Sequence, residues 1–287
     1  VYQRTGHLYL HREQPASTLT WAQRAIDLFS RIKVPMGTSL GTALTYTGRI
    51  DEGVAYNERN WEPILRAGNP VVIPILGHEL ALTLALARDI PRAREWGERA
   101  LTETTKVTKA NPIWEAFVRR PLTIAYTLAG EMTKARETCQ PVEQLERTRL
   151  FACFFQDAAS VGFHYLRRGD WDEAREYLES RVSIFSDRNN IAAVLGCSLV
   201  LASLSMDMGD HSKAEELLRR SLDVWQKGGN VLLELWGLPV LAELYLRVGQ
   251  PDKAAEQVTR GFELLKPGQN WYGLPALLVA MFLILPC

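Results

Sequence analysis

Three groups of residues have types and spacings that chemistry can use. Gly37-Thr-Ser-Leu-Gly41 is a literal G-x-S-x-G, the spacing of a hydrolase nucleophile elbow with Ser39 as nucleophile. An elbow needs a strand before the serine and a helix after it, whereas Gly41 falls inside an apolar-periodic helical segment, so context argues against catalysis by Ser39. His7 and His11 stand four residues apart on one helix face, as a metal pair would, yet no third ligand lies near them in sequence and His78 is a distant candidate. Histidines lining a surface or groove are the plainer reading. Arg119 and Arg120, beside Trp114 and Phe117, form the most suggestive cluster for ligand contact, with a solvated helix face as the alternative. His164 and His211 show no pattern, and no phosphate-loop, dinucleotide or H-E-x-x-H signature occurs. The expectation is a protein without a catalytic residue, metal or cofactor.

The elements that must position these residues belong to a soluble chain of ordinary make-up. Of 287 residues 47% are hydrophobic and 23% charged, which excludes wholesale disorder. Thirty-three basic and thirty-three acidic residues cancel, leaving no general electrostatic reason to bind nucleic acid or an anionic membrane. Cys139, Cys153, Cys197 and Cys287 form no C-x-x-C pair and read as reduced thiols of a cytoplasmic protein. The apolar run Leu274–Pro286 falls short of the roughly 20 residues a membrane-crossing helix needs.

Aligned on itself, the chain shows a period. Leu166-Arg-Arg-Gly-Asp-Trp-Asp-Glu-Ala174, Met206-Asp-Met-Gly-Asp-His-Ser-Lys-Ala214 and Leu246-Arg-Val-Gly-Gln-Pro-Asp-Lys-Ala254 recur at 40-residue intervals, with Gly169, Gly209 and Gly249 in register. Each glycine ends one apolar-periodic segment, and an alanine five residues later starts another, which predicts helix, left-handed turn, helix. Upstream the same register puts turns at Gly130, Arg88, Gly48 and Glu13, and small residues at Ala135, Ala93, Gly53 and Thr18. The reading is all-α: about seven helix-turn-helix units of period near 40 in one repeat domain over 1–287.

Before each turn the first helix carries a large residue, then adjacent leucine and small residues, then often a tyrosine, as at Leu122, Thr123 and Tyr126 or Leu241, Ala242 and Tyr245. This pattern resembles the tetratricopeptide repeat, which implies a right-handed α-α superhelix and a binding role. The period exceeds that family's usual length. Leu232–Tyr245 and Asn270–Leu274 are similar to the repeats of bacterial LuxR-type and adenylate-cyclase-linked ATPase regulators, where the array is a sensor or docking arm.

That resemblance implies that first helices line the concave surface. Carried over by position, the lining is His7, His11, Thr42, Tyr46, His78, Phe117, Arg120, Gln156, Phe163, Arg167, Trp236, Glu243 and Arg247. Phe117, Phe163, Trp236, Tyr46 and His78 with Arg120, Arg167 and Arg247 are the expected binding residues, suited to an acidic peptide or a small anionic ligand. Tryptophans such as Trp61, Trp96 and Trp225 read as packing residues by default, and Pro74, Pro121 and Pro239 as early positions in first helices.

The expected function is a non-catalytic interaction or sensing domain of a bacterial signal-transduction or transcription regulator. A free-standing scaffold that binds peptide segments is the alternative. A nucleic-acid superhelix would repeat a basic stripe each period, but Arg167 and Arg247 are separated by Asp207 in the unit between. Tyr2 sits inside a first helix and Leu274–Leu285 reads as an unpartnered one, so a fragment of a longer chain, or self-association through that apolar helix, is expected.

Overall fold

The structure, a computed structural model, describes residues 12–32, 40–147 and 156–265. Ser39, His7, His11, Cys153, Cys287, Trp271 and the apolar run from Leu274 lie outside the described residues. Among the described residues thirteen α-helices follow one another: α1 (Pro15–Ile32), α2 (Leu40–Tyr46), α3 (Ile50–Ala67), α4 (Val72–Leu86), α5 (Ile90–Val107), α6 (Pro112–Leu128) and α7 (Met132–Arg147). After a short 3-10 turn at Gln156–Ala159 come α8 (Ser160–Arg168), α9 (Trp171–Asp187), α10 (Ile191–Asp207), α11 (His211–Gly228), α12 (Val231–Arg247) and α13 (Pro251–Leu264). Neighbours in sequence pack as neighbours in space, and no strand occurs among the described residues.

The seven expected turns are all present. Gly48, Gly130, Gly169, Gly209 and Gly249 have positive φ, and so do Glu13 at 58° and Arg88 at 65°, where a side chain makes the left-handed conformation costly. Each turn ties off the helix before it, as where the Gly169 N–H donates to the Leu166 carbonyl and the Asp170 N–H to the Tyr165 carbonyl.

The small residue that follows lets the two helices touch. Thr18, Ala93, Ala135, Ala174, Ala214 and Ala254 are all fully buried, and a Cβ on Gly53 would lie 2.4 Å from the Gly41 carbonyl oxygen. A second set of turns joins one unit to the next, with positive φ at Gly68, Lys109, Ala110, Asn189 and Gly229. Asn111, Asn190 and Asn230 then cap α6, α10 and α12 by accepting backbone N–H bonds.

First helices run between neighbouring units and are buried over most of their surface, whereas second helices keep one wet face. One expectation changes and one holds. Pro121 and Pro239 lie well inside α6 and α12 rather than at their starts, because those helices extend further upstream than the tyrosine pattern marks. Gly41 sits within α2, where a Cβ would meet the Asn57 side chain, so it serves close helix packing.

The array also comes round on itself. The turns of the first three units meet the start of α12: Asn230 Nδ2 donates to Glu13 Oε2 at 2.5 Å across 217 residues of sequence. A Cβ on Gly48 would lie 3.0 Å from Val231, and Trp236 Nε1 donates to the Leu86 carbonyl at 2.6 Å. Arg88 stacks on the Trp236 ring, 3.8 Å from guanidinium to centroid. Period alone encodes nearest-neighbour packing; this seam joins the third unit to the seventh.

Candidate functional site

First helices from several units converge beside the seam on an apolar cleft. Leu86 of α4, Ile124 of α6, Phe163 of α8, Leu199 of α10, and Leu233 and Trp236 of α12 line a cavity of about 60 Å³. Trp236 is fixed there because its ring N–H is held by the Leu86 carbonyl. Arg88, two residues past Leu86, lies over the ring, and Arg167, one helical turn beyond Phe163 on the same face, is exposed beside it. Burial first, and then repulsion from Arg167, push the Arg88 guanidinium down to about 10, so it keeps its charge at neutral pH.

A deeper polar layer lies between the third and fifth units. His78 Nε2 and Asp157 Oδ2 are 2.7 Å apart and both side chains are fully buried. Phe117 stacks on the imidazole with centroids 4.0 Å apart. The pair has the make-up of a base and its orienting acid, but it is enclosed on every side, which suits it to joining the 3-10 turn to α4 rather than to meeting a substrate. Nearby Glu79 is buried with no cation beside it among the described residues, and burial pushes its carboxyl up to about 8, the Thr42 hydroxyl partly opposing. Tyr46 is buried as well, and its hydroxyl is held well above its ordinary range by burial and by the charges of Glu13, Asp157 and Glu79.

Arg120 is not on a solvated face. It is fully buried, and its Nε and Nη2 donate to Glu146 Oε1 at 3.0 and 2.7 Å. The Tyr177 hydroxyl donates to the other oxygen of the same carboxylate. The fork expected for an external anion is thus filled from within, because α7 carries an acid to the spot that helix position alone leaves open. Arg247 is exposed and pairs with Asp207 at 3.0 Å and Glu243 at 2.6 Å, so the residue that interrupts the basic stripe also neutralises it.

Of the expected binding residues, the fold therefore brings Phe163 and Trp236 together in the cleft wall, with Arg167 one helical turn beyond Phe163. Phe117, His78, Tyr46 and Arg120 sit in the buried layer, and Arg247 stands apart. Arg88, which lies over the cleft's Trp236, is not among the binding residues the repeat register points to. Its one signal in the sequence is that it occupies a turn where five units have glycine. Among the described residues no group of three or more His, Cys, Asp or Glu is placed to hold a metal, and no helix is long and apolar enough to cross a membrane. Cys139 and Cys197 are buried free thiols, and burial pushes that of Cys139 up to about 12, away from nucleophilic reactivity.

A tetratricopeptide-repeat family model matches residues 190–266, from the cap of α10 to just past α13. Solved structures of similar fold include a Rap protein complexed with Competence and Sporulation Factor, 10% identical with a TM-score of 0.59, covering 98% of this chain and 79% of that one. Another is BtubC (BKLC) from P. vanneervenii, 18% identical with a TM-score of 0.50, covering 77% of this chain and 94% of that one. A search of curated proteins finds no match.

Proposed function

We propose that this chain, a tetratricopeptide-like helical repeat array, is a non-catalytic interaction and sensing domain of a cytoplasmic bacterial signal-transduction regulator. The observation that carries the reading is the cleft: units distant in sequence converge on an apolar cavity with a cationic rim, the form of a binding site. Repeat arrays of this type are interaction modules as a rule, and the Rap protein of similar fold was solved with a bound factor. The likeness of Leu232–Tyr245 to regulator repeats supports the signalling context.

Fluorescence anisotropy with synthetic peptides that pair acidic and apolar residues tests the binding surface. Binding of a subset, lost in Phe163→Glu and weakened in Arg167→Ala, is the expected result. Peptides that bind equally well to both variants would move the interaction away from the concave face. Arg247→Ala is the control, since that guanidinium already has two carboxylates.

A further inference from the structure

Arg88 combines three features that ordinary packing does not call for. It holds a left-handed φ of 65° at a turn where Gly48, Gly130, Gly169, Gly209 and Gly249 do the same without strain. Its guanidinium is drawn inward over Trp236. Neither it nor Arg167 has a carboxylate partner among the described residues, although the two charges act on one another. Neighbouring arginines are neutralised: Arg92 by Glu58, Arg94 by Glu131, Arg99 by Glu62 and Arg120 by Glu146. Two cations without carboxylate partners among the described residues, at the edge of an apolar cavity, leave a place for one negative charge.

The cavity sets the rest of the ligand. Its volume of about 60 Å³ and its carbon walls admit one branched-alkyl or aryl stem rather than a run of peptide. Resting on the reading of this concave face as the binding surface, we propose that the cleft takes a small amphipathic carboxylic acid. Its carboxylate lies between Arg88 and Arg167, and its apolar stem lies against Phe163 and Trp236. A bound carboxylate also explains why a strained arginine stands where glycine would serve the fold alone.

Isothermal titration of the full chain with isovalerate, phenylacetate and 4-phenylbutyrate, each beside its neutral amide, tests this. At least one acid should bind about tenfold more tightly than its amide, a preference that weakens about fivefold or more in Arg167→Gln and in Arg88→Gln. Arg167 is exposed, so its variant folds whatever becomes of the seam, and Arg88→Lys, which keeps the charge, should retain part of the preference. Acids and amides that bind alike, or a preference untouched by both glutamine variants, would overturn the proposal. So would a site that accepts acidic peptides and none of the free acids, in which case the concave face stands as the binding surface and only its ligand changes. Failure of peptides and acids together would remove both readings.

Discussion

Arg120 and Arg88 are two inward-turned guanidiniums about one unit apart, and the chain treats them in opposite ways. Around Arg120 the charge is closed: Glu146 accepts two of its N–H groups, Tyr177 fills the second carboxylate oxygen, and His78 pairs with Asp157 a short way off. Around Arg88 the charge is open, with an aromatic face and a second arginine in place of an acid; in the buried layer Glu79 is an acid with no cation beside it among the described residues. A buried ion whose partner is internal belongs to the architecture. One whose partner is missing has been left for something else, or is a cost the fold carries.

Breaking the closed region should have the largest effect. Glu146→Ala takes the carboxylate and two hydrogen bonds from a fully buried Arg120 and should cost roughly 3–5 kcal/mol in equilibrium unfolding. A loss within about 0.5 kcal/mol, of the size surface substitutions give, would mean that water reaches Arg120 and that the two regions do not differ.

Glu79 in the buried layer makes stability depend on pH. Glu79, raised from 4.5 to about 8, binds a proton in the folded state and loses it in the unfolded chain between those values. The folded state therefore holds more protons, and stability falls as pH rises through that window by at most about 1.4 kcal/mol per unit, levelling off above it. Glu79→Gln should remove this slope and be the more stable protein at the alkaline end. Urea unfolding of both across the window measures it, and parallel curves would show that Glu79 has a counter-charge in solution.

Smaller again is Trp236→Phe, which keeps a ring under Arg88 but leaves the Leu86 carbonyl without its donor. It should cost roughly 1–2 kcal/mol. No loss would mean that the third and seventh units are not in contact.

The two regions also differ in how far the sequence discloses them. The turns from Glu13 to Gly249 and the buried alanines after them were legible, because a period records what each helix needs from its immediate neighbour. Position in a first helix also gives the direction a side chain points, which is why Phe163 and Trp236 could be named together. It does not say whether a later element covers that direction. Glu146 reaches Arg120 from α7 with nothing in the repeat to announce it, and the seam depends on the pitch accumulated over several units. The trace it leaves is at Glu13 and Arg88, the two turns within a unit that lack glycine, both of whose side chains reach across to the start or body of α12.

Arg88→Gly separates these explanations with the smallest expected change in stability. Glycine relieves a left-handed strain of roughly 1–2 kcal/mol and removes an uncompensated cation, while it gives up the stack on Trp236, worth about 0.5–2 kcal/mol, and loosens the unfolded chain. The sum should fall within about 1 kcal/mol of zero, although a half-buried, seam-bridging residue has been deleted. The same variant should lose the preference for an acid over its amide. Near-neutral stability with lost anion binding would mark Arg88 as a residue the fold tolerates for the sake of a ligand. A clear loss of stability with binding intact would make it a structural clasp between the third and seventh units, and the open charge would then belong to the architecture after all.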